Sequence, residues 1–391
     1  MTFQKMGVFH KYTNDKDLGR FKVTNLESDK YIFKVPMLRN VTLTAPYFHD
    51  GEVGNLAEAV DQMGYLQLNK KLKDEEIENI LRFSTTLADA ELTTAPPLEV
   101  EGSSAAWVPP LMKDIPQGED GDLIRFGALH LTDTYAQLGS GVKDEKMRFS
   151  GNTLNCTSCH LEDGAKQFGL TWMGVSQMYP QYRGREDKVA GLEERINGCF
   201  ARSMNGKAMA VDSKEMKAMV AYINWLSKDM PKDVFGLVTP KYEGPDRKAN
   251  VKKGEEVYNR FCMSCHGANG DGYQSMSAGG SSHVAPALWG TNSYNNGAGM
   301  NRVLTNAAFV HSNMPLGTVW NHPAITIEDT YDVAGYLSSK ERPQMRGLEK
   351  DYPKLEKKAV DCPYPPYADD FSQEQHQYGP FQPIKAAQKK K

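Results

Sequence analysis

Apolar residues recur at helical spacing only in short stretches of this chain, and long runs bearing glycine and proline lie between them. Leu56, Ala59, Val60 and Met63 mark one stripe, with Asn55 and Glu58 placed as a capping box ahead of it. Ile77, Ile80, Leu81, Ser84 and Leu87 mark a second, for which Asp74 is the expected cap. Met216, Met219, Val220, Ile223 and Leu226 form a third, which Met230-Pro231 ends. A short helix is predicted over 254–261. Another is predicted over 327–337, where Thr326 and Asp329 can cap the start. No window approaches 18 apolar residues, so no helix of this chain is expected to span a membrane.

The loop-forming stretches divide the chain. Residues 1–90 carry the first two helices, 91–120 reads as a linker, 121–236 is a second segment, 237–250 a second linker and 251–340 a third segment. The tail, 341–391, is rich in Pro, Tyr, Gln and charge and is expected to wrap the surface as extended chain. The fold class is mainly α, with long loops. Of the 391 residues 40% are hydrophobic and 24% charged, which supplies real cores and excludes a mainly disordered chain. The net charge of −3 offers no basic excess for nucleic acid. The 34 Gly, 21 Pro and 18 Met suggest short helices framing something other than a large aliphatic core.

The cysteines say what that something is. Cys156-Thr157-Ser158-Cys159-His160 and Cys262-Met263-Ser264-Cys265-His266 are two C-x-x-C-H runs, the pattern of covalent c-type haem attachment. Two thiols three apart on a helical turn each form a thioether to one haem edge, and the adjacent histidine reaches the iron. A zinc site made of both C-x-x-C pairs is the rival reading. A histidine directly after each pair, more than 100 residues between them and a glycine-bearing loop after each speak against it. Haem of this type is normally attached outside the cytoplasm, so the expected compartment is the periplasm. Met1 to Lys5 leads into no apolar stretch or small-residue cleavage site, so export is expected to depend on sequence not present here.

A histidine-ligated haem keeps one open coordination position, whose occupant separates electron carrier from enzyme. In the third segment the leading candidate is Met314, because the following Pro315 fixes a loop that can hold the thioether at the iron; His283, Met300 and His311 are the others. In the second segment Met173, Met178, Met204 and Met209 are available, and Cys199 stands isolated. On residue type alone Cys199 reads as a small buried hydrophobe. Arg183, Arg185, Arg195 and Arg202 around it would instead make a cationic pocket that favours a thiolate.

Four motifs carry a family resemblance: Tyr182-Arg183-Gly184-Arg185, the cysteine loop from Arg195 through Cys199 to Gly206, the run Ser293 to Met300, and the tail from Tyr367 to Phe381. From about Gly121 to Ile384 the chain resembles thiosulfate dehydrogenase, the dihaem cytochrome c family that interconverts thiosulfate and tetrathionate. The resemblance implies two cytochrome c-like haem domains, 121–236 with the active-site haem and 251–340 with an electron-transfer haem. It implies His160 and Cys199 as axial ligands of the first iron, and His266 and Met314 of the second. It implies Arg185, Arg195 and Ser203 as substrate-pocket residues, with Cys199 as the reactive sulfur. Electrons would pass to an external cytochrome c or another redox protein. Some members carry a lysine before the methionine that can exchange with it. The residue here is Asn313, which implies a plain His/Met haem and leaves the reaction direction open. Two other classes fit the haem runs alone: an electron-transfer cytochrome with Cys199 buried away from iron, and another Cys-ligated sulfur-oxidation protein with an open docking groove.

Leu18 to Phe21, Val35 to Val41 and Thr44 to Gly51 resemble a different family, the C-terminal part of bacterial dihaem cytochrome c peroxidase. Both haem signatures of that family are missing from residues 1–90, so neither its irons nor its activity carries over. Met63, which would ligate its electron-entry haem, is then expected to be a core methionine. Cys362, in the tail, is expected to be structurally incidental and open to an intermolecular disulfide if exposed.

Overall fold

In the computed structural model, which describes residues 3–12, 16–36, 38–87, 107–231, 242–277 and 280–389, Asn55 caps the helix that its spacing implies. Its Oδ1 accepts from the Glu58 backbone N–H at 2.8 Å. Residues 1–96 form one unit and 97–391 another. The first pairs β1 (Phe3–Lys5) antiparallel with β2 (Ile32–Lys34), around a four-residue α1 (Phe21–Thr24). It then runs through α2 (Leu56–Leu68) and α3 (Asp74–Thr86). Asp74 is the first residue of α3 and not its cap. Lys73 holds the cap position, and its backbone N–H donates to the Glu76 carboxylate at 3.0 Å. Met63 is 37% exposed, which corrects the expectation of a core methionine. The small core of this unit gathers at Tyr47, Val53 and Ala59 and does not extend one turn along α2 to Met63.

The second unit repeats one device twice. Its first half holds α4 (Glu119–Thr132), α5 (Thr134–Leu138), the antiparallel pair β3 (Gln181–Arg183) and β4 (Lys188–Ala190), α6 (Leu192–Arg202) and α7 (Lys214–Leu226). Its second half holds α8 (Val251–Phe261), α9 (Met263–His266), the hairpin of β5 (Tyr273–Ser277) and β6 (Gly280–Ala285), α10 (Val303–Asn313) and α11 (Ile327–Ser338). In each half the first and last helices cross at a glycine. A Cβ at Gly127 of α4 would sit 1.9 Å from the Ala218 carbonyl of α7, and one at Gly254 of α8 would sit 2.1 Å from the Asp332 carbonyl of α11. Backbone oxygens cannot move aside as side chains do. Gly254→Ala is therefore expected to cost about 2–3 kcal/mol by overpacking. Thermal unfolding of the holoprotein would show this as a drop of roughly 5–10 °C, and an unchanged midpoint would refute the close crossing.

The methionine stripe of α7 is core: Met216, Met219, Ile223 and Leu226 are buried with Trp172, Phe200 and Tyr222. The helix predicted from Gly254 starts at Val251, because the Asn250 side chain caps it by accepting from Lys253 N at 3.0 Å. Thr326 caps α11 as expected, accepting from Asp329 N at 3.1 Å.

Three expectations about connecting chain need correcting. Residues 91–106 lie outside the described residues, but Trp107 and Ile115 are buried in the core of the first half, so 107–118 is packed structure. Residues 237–241 also lie outside them. Ala249 is buried, and Arg247 pairs with Asp332 of α11 at 2.7 Å, so 242–250 is docked onto that helix. The tail forms α12 (Gln373–Tyr378) and α13 (Gln382–Gln388), and Phe381 and Ile384 enter a core with Val303, Ala307 and Tyr331. Cys362 is fully buried, which removes the disulfide expectation. Mean polarity hid these few apolar side chains, although Ser372 three residues before Gln375 was a readable cap signal.

Candidate active site

The first haem run turns at Cys156–Ser158, where the Asn155 backbone N–H donates to Ser158 Oγ at 3.1 Å. Thr134, at the start of α5, ties this turn down by accepting from Cys156 N at 3.1 Å. His160 is half-buried beside Trp172, with ring centroids 4.8 Å apart, and its Nδ1 donates to the Leu170 carbonyl. That bond leaves Nε2 free to bind a metal. Burial pulls the His160 pKa down to about 4, against the opposing Leu170 bond, so the imidazole is neutral, the form in which it could bind a metal. Burial likewise pushes the Cys156 and Cys159 thiols up to about 12.

These three side chains open on a cavity of about 350 Å³. Helix α6 supplies another wall. Its Glu194 carboxylate accepts from the Gly191 backbone N–H at 3.1 Å and fixes the start of the helix, and the four-residue spacing then stacks Arg195 on Cys199. Arg195 Nη1 donates to Cys199 Sγ at 2.7 Å. Ser203, at the end of α6, also lines the cavity. Arg185 projects from the turn between β3 and β4, and its Nη1 donates to the Gly297 carbonyl at 2.8 Å. The four arginines are not equally available. Arg183 is forked onto Glu186 at 2.9 and 3.2 Å, so its charge is largely offset.

Cys199 is half-buried and faces the cavity, so it is not the small buried hydrophobe that its residue type alone suggests. Of the methionines considered for this iron, Met173 and Met209 are buried in the core and Met178 is exposed, while Met204 reaches the cavity edge. Met300, considered for the second iron, lines this first cavity instead, as do Tyr294 and Arg302. The run Ser293 to Met300 stood out as a motif, but nothing in its spacing placed it at this cavity.

At the second haem run, Cys262 ends α8 and the chain continues as α9 to His266. His266 Nδ1 donates to the Pro286 carbonyl at 2.8 Å, which again leaves Nε2 free, and burial lowers its pKa. Met314, directly after α10, packs into the same cluster as Cys262, Tyr258 and Val310. His311 is turned to the Ile325 carbonyl at 3.2 Å and lies edge-on to Tyr242. The side chain of His283 lies outside the described residues. Asn313 is fully buried and donates to the carbonyls of Phe168 at 2.9 Å and Phe309 at 3.0 Å.

Both runs thus pair two thiols with a neutral histidine whose free nitrogen faces away from its carbonyl anchor, a donor set that fits c-type haem at each. The class is a dihaem c-type cytochrome whose first haem segment opens on a cationic cavity containing a sulfur. A family model described as SoxA/TsdA, cytochrome c domain, matches residues 146–232, and one described as Cytochrome c matches 251–341. The thiosulfate dehydrogenase of Stutzerimonas stutzeri is 39% identical over 238 residues, 60% of this chain and 73% of the relative. That of Psychrobacter arcticus is 32% identical over 332 residues, 82% and 96% of the two chains. The solved thiosulfate dehydrogenase (TsdBA) of Marichromatium purpuratum superposes with a TM-score of 0.55 at 32% identity, covering 63% of this chain and 51% of that one. A cytochrome c551 peroxidase of Nitrosomonas europaea is 46% identical over 101 residues, 25% of this chain and 30% of the relative. The chain belongs to the thiosulfate dehydrogenase family. It is an oxidoreductase with two covalently bound c-type haems that interconverts thiosulfate and tetrathionate.

Proposed function

We propose that Cys199 is the reacting sulfur, that Arg185, Arg195 and Ser203 hold the thiosulfate it meets, and that His160 with Cys199 and His266 with Met314 are the axial ligands. The two haem domains are assigned to 121–236 and 251–340, with the haem-free segment 1–90 resembling the peroxidase fragment. The observation that carries the reading is the Arg195 Nη1 to Cys199 Sγ contact of 2.7 Å, in the cavity that also receives Cys156, Cys159 and His160.

Thiosulfate is a small dianion, and two of them must be brought together against their repulsion. Arg195 and Arg185 supply forked, charge-assisted donors that offset it. The Ser203 hydroxyl can donate to a sulfonate oxygen. Cys199 as thiolate joins the terminal sulfur of one thiosulfate, forming a sulfur–sulfur bond as two electrons leave. A second thiosulfate attacks that bond, tetrathionate departs and the thiolate is restored. The charges balance at each step, and the sequence runs equally in reverse. The bound haems supply the acceptors for the two electrons.

Electrons leave for an external cytochrome c or another redox protein at the second haem run, where Cys265 is exposed and Met263 is 39% exposed. Among the described residues no helix is long and apolar enough to cross a membrane. The periplasm is the proposed compartment, because c-type haem is normally attached outside the cytoplasm. Incubation of the oxidised holoenzyme with thiosulfate, or of the reduced one with tetrathionate, followed by peptide mass mapping, should find a thiosulfonate adduct on the Cys199 peptide. Active enzyme quenched during turnover with adduct only on other cysteines would overturn the covalent reading.

A further inference from the structure

The tail carries a carboxylate that this reaction scheme does not use. Asp351 follows a short turn at Leu348–Lys350 and is 7% exposed. Its Oδ1 accepts from Arg202 Nη2 at 2.6 Å. Its Oδ2 accepts from Arg185 Nη1 at 3.3 Å and from the Tyr364 hydroxyl at 2.8 Å. Both guanidinium groups are almost buried and both line the cavity beside Cys199. The next residue reinforces the arrangement: Tyr352 N donates to the Arg185 carbonyl at 2.8 Å, and its ring lies 5.3 Å from the Arg185 guanidinium carbon. Arg202 Nε is buried and has no hydrogen-bond partner among the described residues.

A carboxylate this deeply buried is costly unless its lone pairs are filled, and here three donors fill them. Two neighbouring guanidinium groups repel, and a carboxylate wedged between them offsets that repulsion while fixing the plane of each fork. Each arginine has five N–H donors, so a bond or two to Asp351 leaves others for a ligand. The pair with Asp351 retains one net positive charge, held in a defined orientation.

We propose that Asp351 is a positioning residue of the thiosulfate site, and that the side chain it aims together with Arg185 is Arg202, a further anion-binding residue for the substrate sulfonate. This rests on the reading of Arg185 as an anion-binding side chain. The tail is thereby part of the site's construction. Loss of the carboxylate adds positive charge, which still draws the dianion in, but frees the forks to rotate. Alignment suffers more than attraction.

The test is steady-state kinetics of the holoenzyme in thiosulfate oxidation with ferricyanide as acceptor, normalised to haem absorbance. Asp351→Asn should lower kcat about tenfold or more while KM moves less than about threefold, because a small misplacement of positioning groups costs rate before affinity. Arg202→Gln should raise KM about tenfold, the loss of a charge-assisted donor. Tyr364→Phe, which removes one donor to the carboxylate and leaves all charges, should lower kcat about threefold and carries the test if Asp351→Asn does not accumulate with both haems. Wild-type kcat in Tyr364→Phe and in any folded Asp351→Asn overturns the positioning role, and wild-type KM in Arg202→Gln overturns the added anion contact. Arg185→Gln separates this from its foundation. If that variant alone is impaired, only the Asp351 and Arg202 proposal falls. If it is wild type, the reading of Arg185 falls as well.

Discussion

Cys199→Met is expected to keep the first haem attached and six-coordinate and to lose thiosulfate–tetrathionate conversion by about 10³-fold or more in both directions. A thioether can occupy the iron position, and it would raise the reduction potential relative to a thiolate. It has no anionic sulfur with which to form and release a sulfur–sulfur bond. The variant therefore separates ligation from chemistry at one residue. Cys199→Gly should open the coordination position, with a changed haem spectrum, and should be equally inactive. Spectra and turnover of the two variants, in oxidation and in reduction, make the measurement. Near-wild-type activity in Cys199→Met would end the covalent role and leave family membership untouched. An unchanged spectrum in both variants would place the cysteine away from iron, although it lines the same cavity as His160.

Arg195→Gln is the second large effect, expected at about 10²-fold in kcat/KM, since a charged donor to a buried anion is worth roughly 3 kcal/mol. Arg195 lies one helical turn before Cys199 on α6, and its Nη1 reaches the sulfur at 2.7 Å. Glutamine keeps a hydrogen-bond donor of similar size and removes the charge. The loss is expected in both kinetic constants, because the same guanidinium contacts the cysteine sulfur and lines the cavity proposed to receive the dianion. Arg183→Gln provides the contrast: its charge is offset by Glu186, and its kinetic effect should stay within about threefold, the scale of a partly exposed ion pair. Equal losses in the two variants would contradict this division of the arginines.

The parts of the fold that were legible share one property, which is that their cause is local. Asn55 and Thr326 cap helices because their side chains reach an N–H three residues on, and that distance is set by the helix itself. The α7 stripe of Met216, Met219, Ile223 and Leu226 was readable because a 3.6-residue period places it on one face. Asp74 shows the limit: acidic residues suit both the cap and the first turn, and the neighbouring Glu76 carboxylate decided between them. Met300 shows another. Its type suited an iron ligand of its own half, but chain folding placed it in the cavity of the other.

The same line runs through the active site. By itself the sequence determined where haem attaches, since two cysteines and a histidine within five residues are a complete local code. It did not determine that Arg195, Cys199 and Ser203 are stacked, since their four-residue spacing stacks them only once the stretch that read as a loop is the helix α6. Only the tertiary structure decided which arginines remain available. Glu186 takes Arg183 from three residues away, whereas Asp351 reaches Arg202 across 149 residues of chain and Arg185 across 166. An arginine carries its charge everywhere, but its partner is whichever acceptor the fold brings within hydrogen-bond reach. No spacing rule encodes that, because the contact depends on the tail packing through Tyr352, Cys362 and Tyr364 into a small core of its own.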